Sequence, residues 1–279
     1  MFSSFTHDHD GERLSCVAGR ADGTGDGAAT AVLLHGAGNG SKERLLPLLG
    51  DFAARGCAGL ALDFSGHGES TGALGESSLR RRFEQAVSVI DATVPAGAPL
   101  ILAGFSMSGQ TVADLARHYG RRAVALVLCA PAVYAAEAWS LPFEDPRDPS
   151  RQDGDGPKAQ SRFSRIIRTP DSWRGAPALD ALRAYEGRAV LAVPATDAVV
   201  PLAVTEAVSD ALTARADFTR FELPDADHLL GLWFRDHAED RRRLVDLALT
   251  GLGAPVPSAP GVRAAGVLTP PGPPGPRPR

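Results

Sequence analysis

Leu100-Ile101-Leu102-Ala103-Gly104-Phe105-Ser106-Met107-Ser108-Gly109 is the stretch on which the reading of this chain turns. Its apolar start suits a strand. Past Ser108, Val112, Leu115, Ala116 and Tyr119 recur at helical spacing. A serine set among small residues on a tight strand-to-helix turn is lifted out of the sheet, where its hydroxyl can act as a nucleophile. The same turn aims the first backbone N–H groups of the new helix at any oxyanion formed beside it. Ser106 is therefore the candidate nucleophile, and the Met107 N–H a candidate oxyanion donor.

Outward from this turn, apolar runs alternate with helical patterns. Strands are predicted at residues 14–18, 30–34, 59–63, 100–104, 123–129, 188–193 and 218–223. Several are continuous apolar runs, as expected of parallel strands covered on both faces. Leu45, Leu48, Leu49 and Phe52 mark one helix, closed by Gly56. Leu79, Phe83, Ala86, Val87, Ile90 and Val94 mark a second, and the elbow helix ends at Gly120. A final helix is predicted over residues 237–250, with Leu244, Leu247 and Ala248 on one face. This alternation predicts an α/β fold with a mostly parallel central sheet flanked by helices and right-handed crossovers. Residues 132–185 break the rhythm. They have no strand pattern, and they set Trp139, Phe143, Phe163, Ile166, Ile167 and Trp173 among prolines, glycines and charges. They are expected to form a short cap inserted over the carboxyl edge of the sheet, dividing the core into residues 1–131 and 186–253. Residues 254–279 are too rich in proline and glycine to build a core and are expected to be a disordered tail.

A nucleophilic serine needs a base, and the base needs an acid to hold it. His118 sits late on the elbow helix, and His237 opens the last helix. His228, in Asp225-Ala226-Asp227-His228-Leu229, follows the predicted strand 218–223 on the sheet edge where the elbow opens, and is the candidate base. Asp197 is the first acid past strand 188–193, with Pro201 opening the next helix, and is the candidate orienting acid. Asp225 and Asp227 are sequence neighbours of His228, a position from which a loop carboxylate rarely faces the ring. The turn after strand 30–34, His35-Gly36-Ala37-Gly38-Asn39-Gly40, has glycines that let backbone approach a substrate. Its Ala37 N–H is the second candidate oxyanion donor. The turn lacks the Gly-Lys-Ser/Thr ending of a phosphate loop. Phe64 and Phe105, with Trp139 and Phe143 of the cap, are candidate pocket walls.

Other conspicuous stretches read as structural. Asp63-Phe64-Ser65-Gly66-His67-Gly68-Glu69-Ser70 suits a tight turn at a strand end beside the site. His7-Asp8-His9-Asp10 suits a hairpin turn ending at Gly11, with no further metal ligand in view. Arg80-Arg81-Arg82 and Arg241-Arg242-Arg243 are expected on solvated helix faces. Cys16, Cys57 and Cys129 stand far apart in apolar surroundings, as buried free thiols do. A hydrophobic fraction of 44% and a charged fraction of 22% over 279 residues suit a globular protein, and a net charge of -4 argues against nucleic acid as the partner. There is no apolar run of about 18 residues for a membrane span, and the N-terminus lacks the basic start and apolar centre of a signal peptide. A cytoplasmic location and a reaction without cofactor or metal are expected.

Together, His35-Gly36, residues 63–70, Gly104-Phe105-Ser106-Met107-Ser108-Gly109, residues 197–201 and Ala226-Asp227-His228 resemble the α/β-hydrolase superfamily, over residues 3–253. Within it the chain looks most like small esterases of the cinnamoyl/feruloyl esterase type. The resemblance implies the α/β-hydrolase fold. It places nucleophile, acid and base on Ser106, Asp197 and His228, and the oxyanion donors on Ala37 and Met107. The chain departs from the family pattern at Phe105, where histidine is common, and at Ser108 and Pro194, where glycine is. The implied reaction is cleavage of a carboxylic ester or thioester of a small-molecule acyl substrate through an acyl-enzyme. The alternatives are a thioesterase, acyltransferase or cyclase acting on chains borne by an acyl-carrier protein in natural-product biosynthesis, and a hydrolase-fold binding protein without catalysis.

Overall fold

The computed structural model describes residues 1–20, 28–144 and 161–252. Eight strands form one sheet: β1 (Phe2–His9), β2 (Glu12–Arg20), β3 (Thr30–Leu34), β4 (Ala58–Leu62), β5 (Leu100–Phe105), β6 (Ala123–Cys129), β7 (Arg188–Pro194) and β8 (Asp217–Leu223). Their order is β1-β2-β4-β3-β5-β6-β7-β8. The pairs β1·β2 and β2·β4 are antiparallel, and all pairs from β4 to β8 are parallel. The helices are α1 (Leu46–Ala53), α2 (Leu79–Thr93), α3 (Ser108–Tyr119), α4 (Arg162–Arg168), α5 (Pro177–Arg183), α6 (Leu202–Thr213), α7 (Leu230–Asp236) and α8 (Ala238–Leu249). None among the described residues is long and apolar enough to cross a membrane.

Side-chain alternation along the strands feeds two cores. Val32, Leu34, Leu100 and Leu102 pack with Val89 and Ile90 of α2 and Val112 and Leu115 of α3. Ala31, Leu33, Ile101 and Ala103 pack on the other face with Leu48 and Phe52 of α1 and Leu244 and Val245 of α8. Burial on both faces is why these strands are apolar without a break.

Two elements differ from expectation. Strand β1 had no apolar run to announce it, because it is an edge strand with half its residues exposed. His7-Asp8-His9 lies on that strand, and the turn is confined to Asp10 and Gly11, both at positive φ (49° and 79°). The helix expected at 237–250 is α8, but a second short helix that the sequence did not announce, α7, precedes it and meets it at His237. There the imidazole stacks on Trp233 with ring centroids 3.6 Å apart.

Between β6 and β7 the described residues hold no strand. Phe143 and Phe163 pack there with Leu79, Ala138 and the Met107 side chain, seating the insertion on the turn after β5. The centre of the insertion and the tail expected at 254–279 lie outside the described residues.

Candidate active site

The parallel strands β3, β5, β7 and β8 end on one edge of the sheet, and each contributes a loop to the site. After β5, Ser106 takes φ 51°, a left-handed conformation that costs a non-glycine residue of order 1–3 kcal/mol and must be imposed by its surroundings. Three backbone bonds impose it. Ser106 N–H donates to Cys129 O (2.9 Å), and Ser106 O accepts from Gly109 N–H (2.8 Å) and Ala132 N–H (2.9 Å). The small residues of the motif follow from close packing. A Cβ on Gly104 would stand 2.5 Å from Ser108 O, and one on Gly109 would stand 2.5 Å from the Pro131 Cβ.

His228 and Asp197 converge on this hydroxyl. His228 Nε2 lies 2.8 Å from Ser106 Oγ, and Nδ1 lies 2.9 Å from Asp197 Oδ2. A neutral imidazole protonated at Nδ1 satisfies both bonds, donating to the carboxylate and accepting from the serine. Asp197 is itself oriented: its Oδ1 accepts from the Val199 and Val200 N–H groups at 2.8 and 2.9 Å. The acid and base loops are tied together, because Thr196 donates from N–H (3.1 Å) and from Oγ1 (2.8 Å) to Ala226 O. Asp227 caps its own turn instead, accepting from Leu229 N–H at 2.8 Å.

The two expected oxyanion donors border the same place. Met107 opens α3, and Ala37 lines the cavity that holds Ser106 and His228. Neither N–H has an acceptor among the described residues. Gly36 lets the Ala37 turn lie against the serine, since a Cβ there would come within 3.1 Å of Ser106 Cβ.

Beneath the turn lies a buried unit that sequence reasoning missed. Arg82, expected on a solvated face, is fully buried, and its Nη2 donates to His35 O (2.6 Å) and Ser108 Oγ (2.9 Å). Ser108 Oγ in turn donates to His35 O at 2.6 Å. The hydroxyl that replaces the usual elbow glycine is thus committed to clamping β3's turn onto α3. The guanidinium lies 3.8 Å over the Phe64 ring, while its Nε and Nη1 have no hydrogen-bond partner among the described residues. The helix pattern did signal this, since Arg82 shares a face with Leu79, Ala86 and Val89; three consecutive arginines masked it. His35 accepts from Phe64 N–H at Nε2 (3.1 Å), and burial beside Arg82 pushes its imidazole well below the ordinary histidine range. It is a neutral strut.

The cavity at Ser106, about 90 Å³, is lined by Ala37, Arg44, Leu45, Phe105, His228 and Leu229 among others. Of the four expected walls only Phe105 faces it. Phe64 is drawn wholly into the core by Arg82 and His35, Trp139 leans on Phe83, and Phe143 is held against Phe163.

In sequence, the family model described as serine aminopeptidase, S33 matches residues 25–148, a span that takes in β3, the elbow and β6. No curated protein matches the chain. Among solved structures, Est1E from Butyrivibrio proteoclasticus with bound ferulic acid superposes with a TM-score of 0.62 at 19% identity, over 85% of this chain and 98% of that one. A thioesterase domain from the curacin biosynthetic pathway gives 0.61 at 16% identity, covering 88% and 99%. Mouse alpha/beta hydrolase domain-containing protein 10 gives 0.60 at 18% identity, covering 88% and 96%. The chain is an α/β-hydrolase by fold.

Elsewhere in this hydrolase fold, Cys16, Cys57 and Cys129 are buried and free, and burial pushes the first two thiols up to about 12 and 11. Glu43, Asp63 and Glu69 form the one acidic group with metal-like spacing among the described residues, and the Lys42 ammonium sits in it at 2.6, 2.8 and 3.0 Å respectively. His7 is taken up by Ser88 Oγ at 2.7 Å. A larger cavity, about 880 Å³, opens among Ala123, Arg188 and Asp217 at the opposite edge of the sheet, away from the triad of side chains.

Proposed function

We propose that the protein is a serine hydrolase of carboxylic esters or thioesters, with Ser106 as nucleophile, His228 as base and Asp197 as orienting acid. The observation that carries this reading is the unbroken chain Asp197–His228–Ser106, with bonds of 2.9 and 2.8 Å. His228 takes the serine proton as Ser106 Oγ attacks the acyl carbonyl. Asp197 stabilises the imidazolium that forms. The unpaired Ala37 and Met107 amides receive the oxyanion, an effect worth about 10²–10³ in rate for one donor. The imidazolium then protonates the leaving alcohol or thiol, and water repeats the sequence on the acyl-enzyme. No cofactor enters these steps. The segment at 132–185 is read as the cap that shapes the pocket, supported by its packing on the Met107 side chain.

The likeness to a structure holding ferulic acid and to a thioesterase domain supports acyl transfer to water from oxygen or sulfur. Processing of carrier-bound chains is the second reading, favoured by the thioesterase neighbour. Aminopeptidase action fits less well: a free α-amino group calls for a carboxylate in the pocket, and among the described residues lining the cavity there is none.

Ser106→Ala should lower turnover of short acyl esters by roughly 10⁴-fold or more, and should abolish labelling by a fluorophosphonate. An alanine variant retaining near-full activity, or a wild type that forms no adduct, would sink the reading.

A further inference from the structure

One charge in the cavity has no part in the chemistry above. Arg44 lies on the 3-10 turn Lys42–Leu45, directly after the glycine-rich turn, and lines the cavity shared by Ala37, Ser106 and His228. It is half-buried. Its neighbours are committed, since Lys42 binds Asp63 and Glu69 while Glu43 binds Lys42. Among the described residues nothing accepts from the Arg44 guanidinium. Its charge is also felt at His35, as the least of the causes that keep that ring neutral, after burial and Arg82. The same cavity has apolar lining in Leu45, Phe105, Leu229, Leu230 and Leu232. A guanidinium partly withdrawn from water, without a counter-ion and beside an apolar wall, is a planar fork suited to an incoming carboxylate.

We infer that Arg44 binds an anionic group of the substrate, so that the preferred esters or thioesters join an apolar chain to a carboxylate or similar anion. This assignment rests on Ser106 being the reacting centre. It makes Arg44 a specificity residue that acts by binding and takes no proton.

The test uses matched pairs of esters on the full chain. Ethyl hydrogen adipate against ethyl hexanoate places the anion on the acyl side, and 4-acetoxybenzoate against phenyl acetate places it on the alcohol side. Because each kcat/KM ratio is taken within one preparation, it does not depend on how much of a variant has folded. The wild type should favour the anionic member of at least one pair by about 10–100-fold, the reach of a charge-assisted hydrogen bond, mostly through KM. Arg44→Met should bring that ratio near one, and Arg44→Lys should retain part of it. A wild-type ratio near one in both pairs overturns the assignment, as does a ratio that survives Arg44→Met. If no ester is turned over the assignment also falls, and fluorophosphonate labelling then separates the cases. A labelled Ser106 leaves the reading of the reacting centre standing; an unlabelled one takes it down as well.

Discussion

Two buried cations lie behind the candidate oxyanion turn, and they are built in opposite ways. Lys42, 1% exposed, is saturated with carboxylates: its Nζ meets Asp63, Glu43 and Glu69, and its backbone N–H donates to Asp63 Oδ1 at 2.7 Å. Arg82, 0% exposed, has no carboxylate partner among the described residues, and it spends one nitrogen on His35 O and Ser108 Oγ. Burial works against both charges, but hydrogen bonds to carboxylates hold Lys42 above its ordinary range, whereas Arg82 is pushed below its own. A saturated buried pair adds little over an apolar core when intact, but losing one partner strands a charge and is strongly destabilising. An unpaired buried charge weakens the fold on its own account, so its presence at the seam between the two loops that carry the candidate oxyanion donors points to positioning.

That contrast is open to breakage. The largest effect should come from Asp63→Ala, which removes the buried partner of Lys42 and leaves an ammonium with two exposed carboxylates. Loss of one member of a buried pair costs about 3–5 kcal/mol, so the urea midpoint should fall sharply. A loss below about 1 kcal/mol would make Lys42–Asp63 no better than a surface pair. Arg82→Met should invert the pattern. Removing an uncompensated charge and restoring apolar volume should shift stability by only about 1 kcal/mol in either direction. Loss of the Arg82 bond leaves only Ser108 Oγ holding His35 O, and the loosened β3 turn should lower kcat about tenfold, with KM little changed, because the Ala37 donor is needed most in the transition state. A large stability loss with kcat intact would place Arg82 in the same class as Lys42.

The same contrast explains what the sequence could reveal. Strands β3, β5 and β6 were legible because burial on two faces demands continuous apolar runs, and the loops after β5, β7 and β8 followed from the order in which a serine, an acid and a histidine succeed those strands. The edge strand β1 was not, because none of its residues is fully buried and its half-buried positions carry His7 and His9 as well as Phe2 and Phe5. Arg82 was misread because its arginine neighbours dominate the local composition, while what decides its burial is the face it shares with Leu79, Ala86 and Val89 on α2. Phe64, Trp139 and Phe143 were assigned to the pocket by their type and their place in the chain. Their actual partners come from distant segments: Arg82 over Phe64, Phe83 beside Trp139, Phe163 beside Phe143. Such pairings depend on three-dimensional packing that a single sequence does not spell out.

A third buried charge falls between the two cations and gives the gentlest test. Asp114 of α3 is 3% exposed, accepts from Gln110 Nε2 at 2.9 Å, and meets the mostly exposed Arg117 only at 3.3 Å. Desolvation outweighs both partners and raises its carboxyl to about 6. The folded state therefore binds a proton that the unfolded chain, titrating near 4, has released. Between about pH 4 and 6 this group makes stability fall as pH rises, and above that window the penalty is constant. Asp114→Asn keeps an acceptor for Gln110 and removes the charge. At pH 7.5 it should raise stability by about 1 kcal/mol, and the difference from wild type should vanish toward pH 4. Urea midpoints measured from pH 4 to 8 read both. If the variant is instead less stable at pH 7.5, the Arg117 contact outweighs the burial, and Asp114 belongs with the saturated pair at Lys42.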